Sequence, residues 1–526
     1  MRFAVCILIL LFYSSFSQAQ NSFFRQYQAA ATAFAGSPSW VSDGEGGAIV
    51  AATLFAANQS NNRRLGLIAL DNRGNIRWQT AFASDQQDVV VSQIIRDTDG
   101  SLYIAGMCNL SAGHLPQPFV AAFDAFGRFR WSRRLGSGLV DGRVKIAIRK
   151  QEIGLAFTAI HQPYDFSLVR FDKNGQYRGA LFAGGGNLVG QFSEDILADL
   201  VVDQQGNFIA VLETNYGDPG RFCTAVLLFN NQSGIGSSYR LEHPGNFKAV
   251  QAQIVDNNRL LLGIKTENQQ YWYLSQTNGQ DLVPAFGIDS TQAHQQYFGH
   301  YHAGEFVAQG PLGQADGTWQ LIKRGSESAG WLLQGNSGLY GSRSAPIVDN
   351  KGQWLMLATA SNQGAAFAEQ LILVKSPSNL DICYENKSFQ TRAVNAPAPQ
   401  RNSFGVTAQQ YTETMLPIAW QAVTSQFQAL ELACNTANNI PLFPTAFTPN
   451  GDGLNETFGP VFNDFPYYQL LIYNRWGELI FDTPNQFWDG YIQTELAPAG
   501  AYRYVFNYQD LRGRKSQSSG QIRLIR

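Results

Sequence analysis

A recurring unit constrains this chain more than anything else: an apolar strand, a turn carrying Asp or Asn with Gly, then another strand. It runs from Leu67 to Trp78 around Asp71-Asn72-Arg73-Gly74, and from Val120 to Trp131 around Asp124-Ala125-Phe126-Gly127. A third copy spans Leu168 to Tyr177 around Asp172-Lys173-Asn174-Gly175, and weaker copies begin at Val226, Trp272, Trp319 and Leu371. A second unit interleaves with the first. Asp97-Thr98-Asp99-Gly100, Asp203-Gln204-Gln205-Gly206, Asp256-Asn257-Asn258-Arg259 and Asp349-Asn350-Lys351-Gly352 each precede an apolar run. Ser42 to Gly47, Arg149 to Glu152 and His302 to Glu305 fill the remaining places. Both series have seven members, with starts 46 to 58 residues apart. Two hairpins every ~50 residues make a four-stranded blade, whose open face is buried only by stacking around an axis. The expectation is an all-β chain with a seven-bladed β-propeller over residues 24–375.

Composition fits that reading. Of 526 residues 44% are apolar and 15% charged, enough for large cores and too little charge for a disordered chain. Fifty glycines and 13% aromatics favour strands joined by tight turns. A formal net charge of -2 gives no general attraction to nucleic acid or anionic lipid. The best copies, Ala69-Leu70-Asp71 through Gly74 to Trp78 and Ala122-Phe123-Asp124 through Gly127 to Trp131, resemble the quinoprotein-type propeller repeat. That resemblance implies the architecture. Adjacent cysteines and a long catalytic insertion are absent, so no cofactor is implied.

The N-terminus reads as a secretory signal peptide, residues 1–19. Arg2 is the positive end, Phe3 to Phe16 is apolar but short for a bilayer span, and Ser17-Gln18-Ala19 offers small residues for cleavage. Cys6 lies at the start of the apolar stretch, which argues against a lipoprotein anchor. No later segment reaches the length of a transmembrane span, so the exported chain is expected to be soluble. Export leaves Cys108, Cys223, Cys383 and Cys434, which allow three disulfide connectivities. A Cys383–Cys434 bridge is favoured, and Cys108 and Cys223 read as buried thiols. Residues 376–439, rich in Pro and Ala near 393–400, are expected to be a short β-rich connector.

The last ~85 residues carry a dense set of motifs. After Pro444-Thr445-Ala446-Phe447 come Asn450, Gly451, Asp452, Gly453 and Asn455. Then follow Asn474-Arg475-Trp476-Gly477, Trp488-Asp489-Gly490, and Gly500-Ala501-Tyr502, and the chain ends at Arg526. In that order they resemble the gliding-motility-associated C-terminal domain, the type B sorting domain of the type IX secretion system of Bacteroidetes. Glu456 stands where that family more often has Asp. The resemblance implies a sorting domain over residues 440–526, a small Ig-like β-sandwich, and the outer-membrane type IX machinery as partner. Trp476, Trp488 and Tyr502 are read as core anchors.

Motifs for chemistry are sparse. The oxygen ligands from Asn450 to Glu456 alternate as in calcium loops but lack the terminal bidentate Glu, so a self-capped turn is preferred. His294, His300 and His302 cluster without a visible full ligand set. Gly184-Gly185-Gly186 has no following Lys, so a flexible turn is preferred to a phosphate cradle. Arg128, Arg130, Arg133 and Arg134 read as a solvated face. Glu194, Asp195 and Glu213 are the nearest to a glycosidase carboxylate set. The sequence reading is thus an exported, non-enzymatic propeller that binds a protein or glycan. Its alternative is a secreted polysaccharide hydrolase or lyase with its site at the channel mouth. Carboxylates, or a His and carboxylate set, converging at that mouth would favour the enzyme.

Overall fold

The structure is a computed structural model. It describes residues 23–29, 32–56, 63–84, 88–110, 115–160, 165–185, 193–218, 220–230, 234–289, 298–302, 305–311, 318–324, 329–334, 339–341, 345–348, 354–360, 370–376, 397–423, 427–430, 443–450, 455–460, 467–493, 495–509 and 515–526. Apart from one 3-10 turn at Asp256–Asn258, every regular element among them is a strand. The chain divides into two compact units, one of Phe23–Leu432 and one that reaches the C-terminus from Ala433.

In the first unit, seven antiparallel sheets follow one another among the described residues. Each is a meander of four strands. The first comprises Thr32–Ser42, Ala48–Ala56, Arg63–Leu70 and Ile76–Ser84. The seventh takes its outer strand from the N-terminus: Phe23–Ala29 pairs with Gln370–Ser376. The start of the unit is thereby stitched to its end, and the first strand of sheet 1 packs on sheet 7. This is the propeller arrangement.

The core lies between sheets rather than in one mass. Tyr27, Leu355 and Leu357 of sheet 7 pack with Val50, Leu54 and Ile68 of sheet 1. Further clusters join sheets 1 and 2, 2 and 3, 3 and 4, 4 and 5, and 5 and 6. Full burial of each large apolar side chain contributes on the order of 2 kcal/mol, and no sheet achieves it without its neighbour.

The Asp-x-x-Gly turns explain the repeat. Asp71, Asp124 and Asp172 each accept the N–H groups two and four residues on, between 2.8 and 2.9 Å. Gly74, Gly127 and Gly175 then take φ near +75°, where a side chain is costly, and the ladder shifts by one residue beyond the turn. The glycine does a second job. A Cβ on Gly127 would lie 2.5 Å from Trp78 of the preceding sheet, and one on Gly175 would lie 2.6 Å from Trp131. Tyr239 meets Gly279 in the same way, and the Tyr27 hydroxyl donates to the Gly74 carbonyl. Aromatic and glycine therefore recur together because the outer aromatics of four sheets, Tyr27, Trp78, Trp131 and Tyr239, seat against the next sheet's turn.

Within residues 376–439, expected to be a short β-rich connector, the described strands join the ring. Gln400–Ser403, Val406–Tyr411, Met415–Leu416, Trp420–Val423 and Phe427–Leu430 add a fifth strand to sheets 4, 3, 2, 1 and 7 in turn. The chain runs back along the outer edges of the sheets it has already built. Its apolar side chains plug the outer ends of the inter-sheet cores: Phe404 between sheets 3 and 4, Ile418 and Trp420 between 1 and 2, and Phe427 between 7 and 1. Edge strands left bare invite association, and this belt covers five of them.

The second unit is a five-stranded sheet. Tyr467–Tyr473, Leu479–Pro484, Gly500–Gln509 and Lys515–Leu524 pair antiparallel, and Ala446–Phe447 adds a parallel edge. Burial alternates strictly at Tyr468, Leu470 and Ile472 and at Tyr502, Tyr504 and Phe506, so one face is core. Phe447, Phe458, Trp488 and Ala497 cover that face, and Tyr491–Ile492 pairs with Glu495–Leu496 in a small separate hairpin. The signal peptide and the Cys383 and Cys434 pair lie outside the described residues. Cys108 and Cys223 are buried, and the Cys108 thiol donates to the Gln117 carbonyl.

Candidate functional site

The seven first strands converge on a cavity of about 270 Å³, lined among others by Trp40, Gln93, Lys145, Asp199, Gln253, His300 and Ile347, one from each sheet. A one-residue register shift in the first strand of sheets 2, 4 and 5, and larger shifts in sheets 1 and 3, re-aim side chains toward the next sheet. Ser39 accepts from Ile94 N–H, Gln93 from Ile146 N–H, Asp199 from Ala252 N–H, and Gln251 from Gly299 N–H. Lys145 pairs with Asp199 at 3.2 Å. These bonds tie neighbouring inner strands together, so the channel polar groups serve the ring.

Among the described lining residues, Asp199 is the one carboxylate and His300 the one histidine. Burial first, and then His302, push His300 down to about 4, so it is neutral at physiological pH. His294 lies outside the described residues. Among those described, no group of three His, Cys, Asp or Glu could hold a metal ion. The other sequence candidates disperse. Glu213 pairs with Arg143 at 2.7 Å, and Glu194 donates its backbone N–H to Asn215 Oδ1 at 2.7 Å. Arg130 donates to Ser101, Arg134 donates to Gln117, and Arg133 lies over Trp131. Gly184 and Gly185 end the strand Tyr177–Gly185 rather than forming a loop.

Asp195 does meet a carboxylate that the sequence did not single out. A Cβ on Gly184 would lie 2.4 Å from Asp165 Oδ1 and 2.9 Å from Asp195 Oδ2, so the glycine makes room for both. Burial, and then the charge of Asp195, push Asp165 up to about 6. Asp195 is fully buried and accepts from Ser193 Oγ.

In the second unit the motif residues separate into two groups. Trp488 is fully buried, donates Nε1–H to the Tyr491 carbonyl and meets Tyr502 edge-on at 4.9 Å. The Tyr502 hydroxyl donates to the Pro498 carbonyl at 2.6 Å, and burial raises its pKa against the nearby charges of Arg526 and Arg475. Asp489 caps Tyr491 N–H, and Gly490 has φ +80° with Pro449 packed where a Cβ would go. Asn455 closes the loop after Asn450 by accepting from Thr448 N–H, while Gly451, Asp452 and Gly453 lie outside the described residues.

Trp476 corrects the expectation of a core anchor: it is 71% exposed. It occupies the third position of a turn in which Asn474 accepts from the N–H groups of Trp476 and Glu478, and Gly477 has φ +85°. That position points away from both strands. Arg475 stacks over the indole at 4.2 Å. The sequence signal was available, because the turn has the same Asx-x-x-Gly form as the ring turns, whose third residue Phe126 is also exposed.

Residues 442–524 match the model of the CHU_C type IX secretion signal domain. No curated protein is similar to the chain in sequence. Solved structures with a similar fold include a protein of unknown function from Dyadobacter fermentans, at 12% identity and TM-score 0.35, covering 66% of this chain and 99% of that one. Another is the β-propeller domain of the Trilobed protease from Pyrococcus furiosus, at 13% identity and TM-score 0.38, covering 65% and 94%. NanB sialidase from Streptococcus pneumoniae is similar at 8% identity and TM-score 0.37, covering 69% of each chain. The secretion signal domain directs the chain across the outer membrane, to the cell surface or the medium.

Proposed function

We propose that the chain is a type IX cargo whose seven sheets are seven blades of a non-enzymatic binding module, delivered by a small Ig-like C-terminal sandwich. The exposed Trp476 with Arg475 stacked on it carries the sorting half of this reading. Trp and Arg are enriched among the few residues that dominate binding at protein interfaces, and a turn fixed by Asn474 presents both at a reduced ordering cost. Arg526 acts on the same Tyr502 as Arg475, so two arginines flank the exposed indole, and the counterpart on the exporter would be an apolar slot with acidic groups at its edge. Tyr502, bonded back to Pro498, has the form of the tyrosine corner of Ig-like sandwiches and supports that name for the fold.

Cell fractionation of three forms tests the proposal: the full chain, a chain ending before Ile440, and Trp476→Ala. The full chain is expected at the surface or in the medium, and the truncated chain in the periplasm. Trp476→Ala should melt as the native chain does while its export falls by about tenfold or more, as loss of a hot-spot residue would cause. Equal export of the truncated chain would end the sorting assignment, and equal export of Trp476→Ala would move the contact elsewhere on the domain.

One observation favours the enzymatic alternative. A half-buried carboxylate raised to about 6, beside a second carboxylate, has the character of a glycosidase acid. Turnover of a polysaccharide that Asp165→Asn abolishes would establish that reading over simple binding.

A further inference from the structure

We propose that the rim of the ring between sheets 3 and 4 holds a carboxylate-bearing sugar, a uronic-acid unit of an acidic polysaccharide; this rests on the binding-module reading above. A cavity of about 330 Å³ opens there, a size suited to a small ligand. Arg149, Arg170 and Arg178 line it, and its lining includes no carboxylate. The carboxylates that hold these arginines stand outside the cavity wall. Glu152 accepts from Arg149 Nε at 2.8 Å and lies 4.0 Å from Arg170, and Asp172 pairs with Arg178 at 2.8 Å. Three guanidiniums against two carboxylates leave the site with one positive charge in excess, in a partly buried place where water screens it less.

Each arginine has a distinct part. Arg149 is 7% exposed and fixed, stacked over Phe208 at 4.5 Å, so it sets the field of the cavity floor. Arg170 is held loosest, and its planar fork matches a carboxylate in bidentate fashion. Gly179 lies beside it with φ +138°, and a Cβ there would come within 3.1 Å of Arg170 Nη2. The missing side chain leaves that fork room. Arg178 is the most exposed of the three and stands at the entrance.

The remaining wall selects for a sugar ring. The half-buried Tyr177 gives it an aromatic surface on which the C–H face of a pyranose packs, while Phe208 and Phe229 are buried beneath the wall. Asn230 and Gln410 add amides that both donate to and accept from hydroxyls. An acidic peptide would draw on main-chain bonding to an unpaired edge. The strand beside the cavity, Tyr177–Gly185, has both edges occupied, by Asp165–Asp172 and by Val406–Tyr411 of the belt.

Isothermal titration of the full chain with a galacturonate trisaccharide tests this, with a galactose trisaccharide as neutral control. The acidic sugar should bind at least about tenfold tighter than the neutral one, and less tightly as salt rises. Arg170→Gln with Arg178→Gln should weaken it by about tenfold or more at an unchanged melting temperature. If that pair folds poorly, Arg178→Gln alone should still lose about threefold. Equal binding of neutral and acidic sugars, or full affinity in the variants, overturns the site. Displacement of the trisaccharide by hexaglutamate at matching affinity overturns the ligand class. A glycan array separates the two readings. Binding of other glycans that the double variant retains ends the rim site and keeps the binding module, whereas binding of none ends both.

Discussion

Two turns of nearly the same chemistry do different work in the two units. In the ring, Asp124 Oδ1 accepts from Phe126 and Arg128 N–H; in the C-terminal unit, Asn474 Oδ1 accepts from Trp476 and Glu478 N–H. Both set a glycine at positive φ, +74° for Gly127 and +85° for Gly477, and both expose the aromatic before it. The difference lies beneath the glycine. Gly127 is pressed against Trp78 of the preceding sheet, whereas nothing lies within 4 Å of where a Gly477 Cβ would stand. Local turn chemistry thus makes a hairpin in either unit. Only the aromatic brought by a neighbouring sheet makes it a joint of the ring.

Loading the two glycines breaks this comparison most directly. Gly127→Ala has to place a Cβ 2.5 Å from the Trp78 ring while holding an unfavourable φ. Overpacking and backbone strain together should cost about 3 to 4 kcal/mol. Urea denaturation of the ring unit is the measurement, and a loss below about 1 kcal/mol would mean that Trp78 yields and the seat is not tight. The belt tests the ring from outside, at sheet 3. Tyr411 stacks on Phe182 with ring centroids 3.8 Å apart, and its hydroxyl bonds Ser167 and Glu413. Tyr411→Ala should cost about 2 to 3 kcal/mol. Tyr411→Phe should cost about 1 kcal/mol, which separates the stack from the hydroxyl.

The ring turns were readable because they are local: Asp, Gly and the closing Trp lie within eight positions of one another, so the rhythm of sheets followed. The belt was not. Its strands are two to six residues long, too short to carry a period, and their partners are remote. Glu413, for example, caps Gly136 and Ser137 across 277 and 276 positions. Trp476 was misplaced for another reason. Tryptophan near strands is usually core, as Trp488 is, and only the turn position reverses that expectation. The rim cavity had no local signal at all, because two sheets and the returning chain assemble it.

The Asp165 and Asp195 pair sharpens the contrast on the ring side, where the half-buried Asp165 meets the fully buried Asp195 across Gly184. With Asp165 raised to about 6, the folded chain binds a proton more tightly than the unfolded chain, whose aspartates titrate near pH 4. The resulting stabilisation is complete below about pH 4 and lost as pH rises through about 6. Asp165→Asn keeps position 165 neutral throughout. It should leave stability at pH 4 nearly unchanged and raise it at pH 8 by about 1 to 2 kcal/mol, allowing for partial exposure. A pH-independent difference between the two chains would show that folding does not raise Asp165.

The smallest effect belongs to the free hairpin. Gly477→Ala meets open space, so its cost is the backbone term alone, about 1 kcal/mol, and it should appear in the unfolding of the C-terminal unit without touching the ring. Because Asn474 still caps the turn, Trp476 and Arg475 keep their places, and export should remain within about twofold of the native chain. A loss as large as that expected for Gly127→Ala would mean that the turn at Asn474 is buttressed after all. Trp476 would then be held as the ring aromatics are, and the distinction between joint and tip would fail at its simplest point.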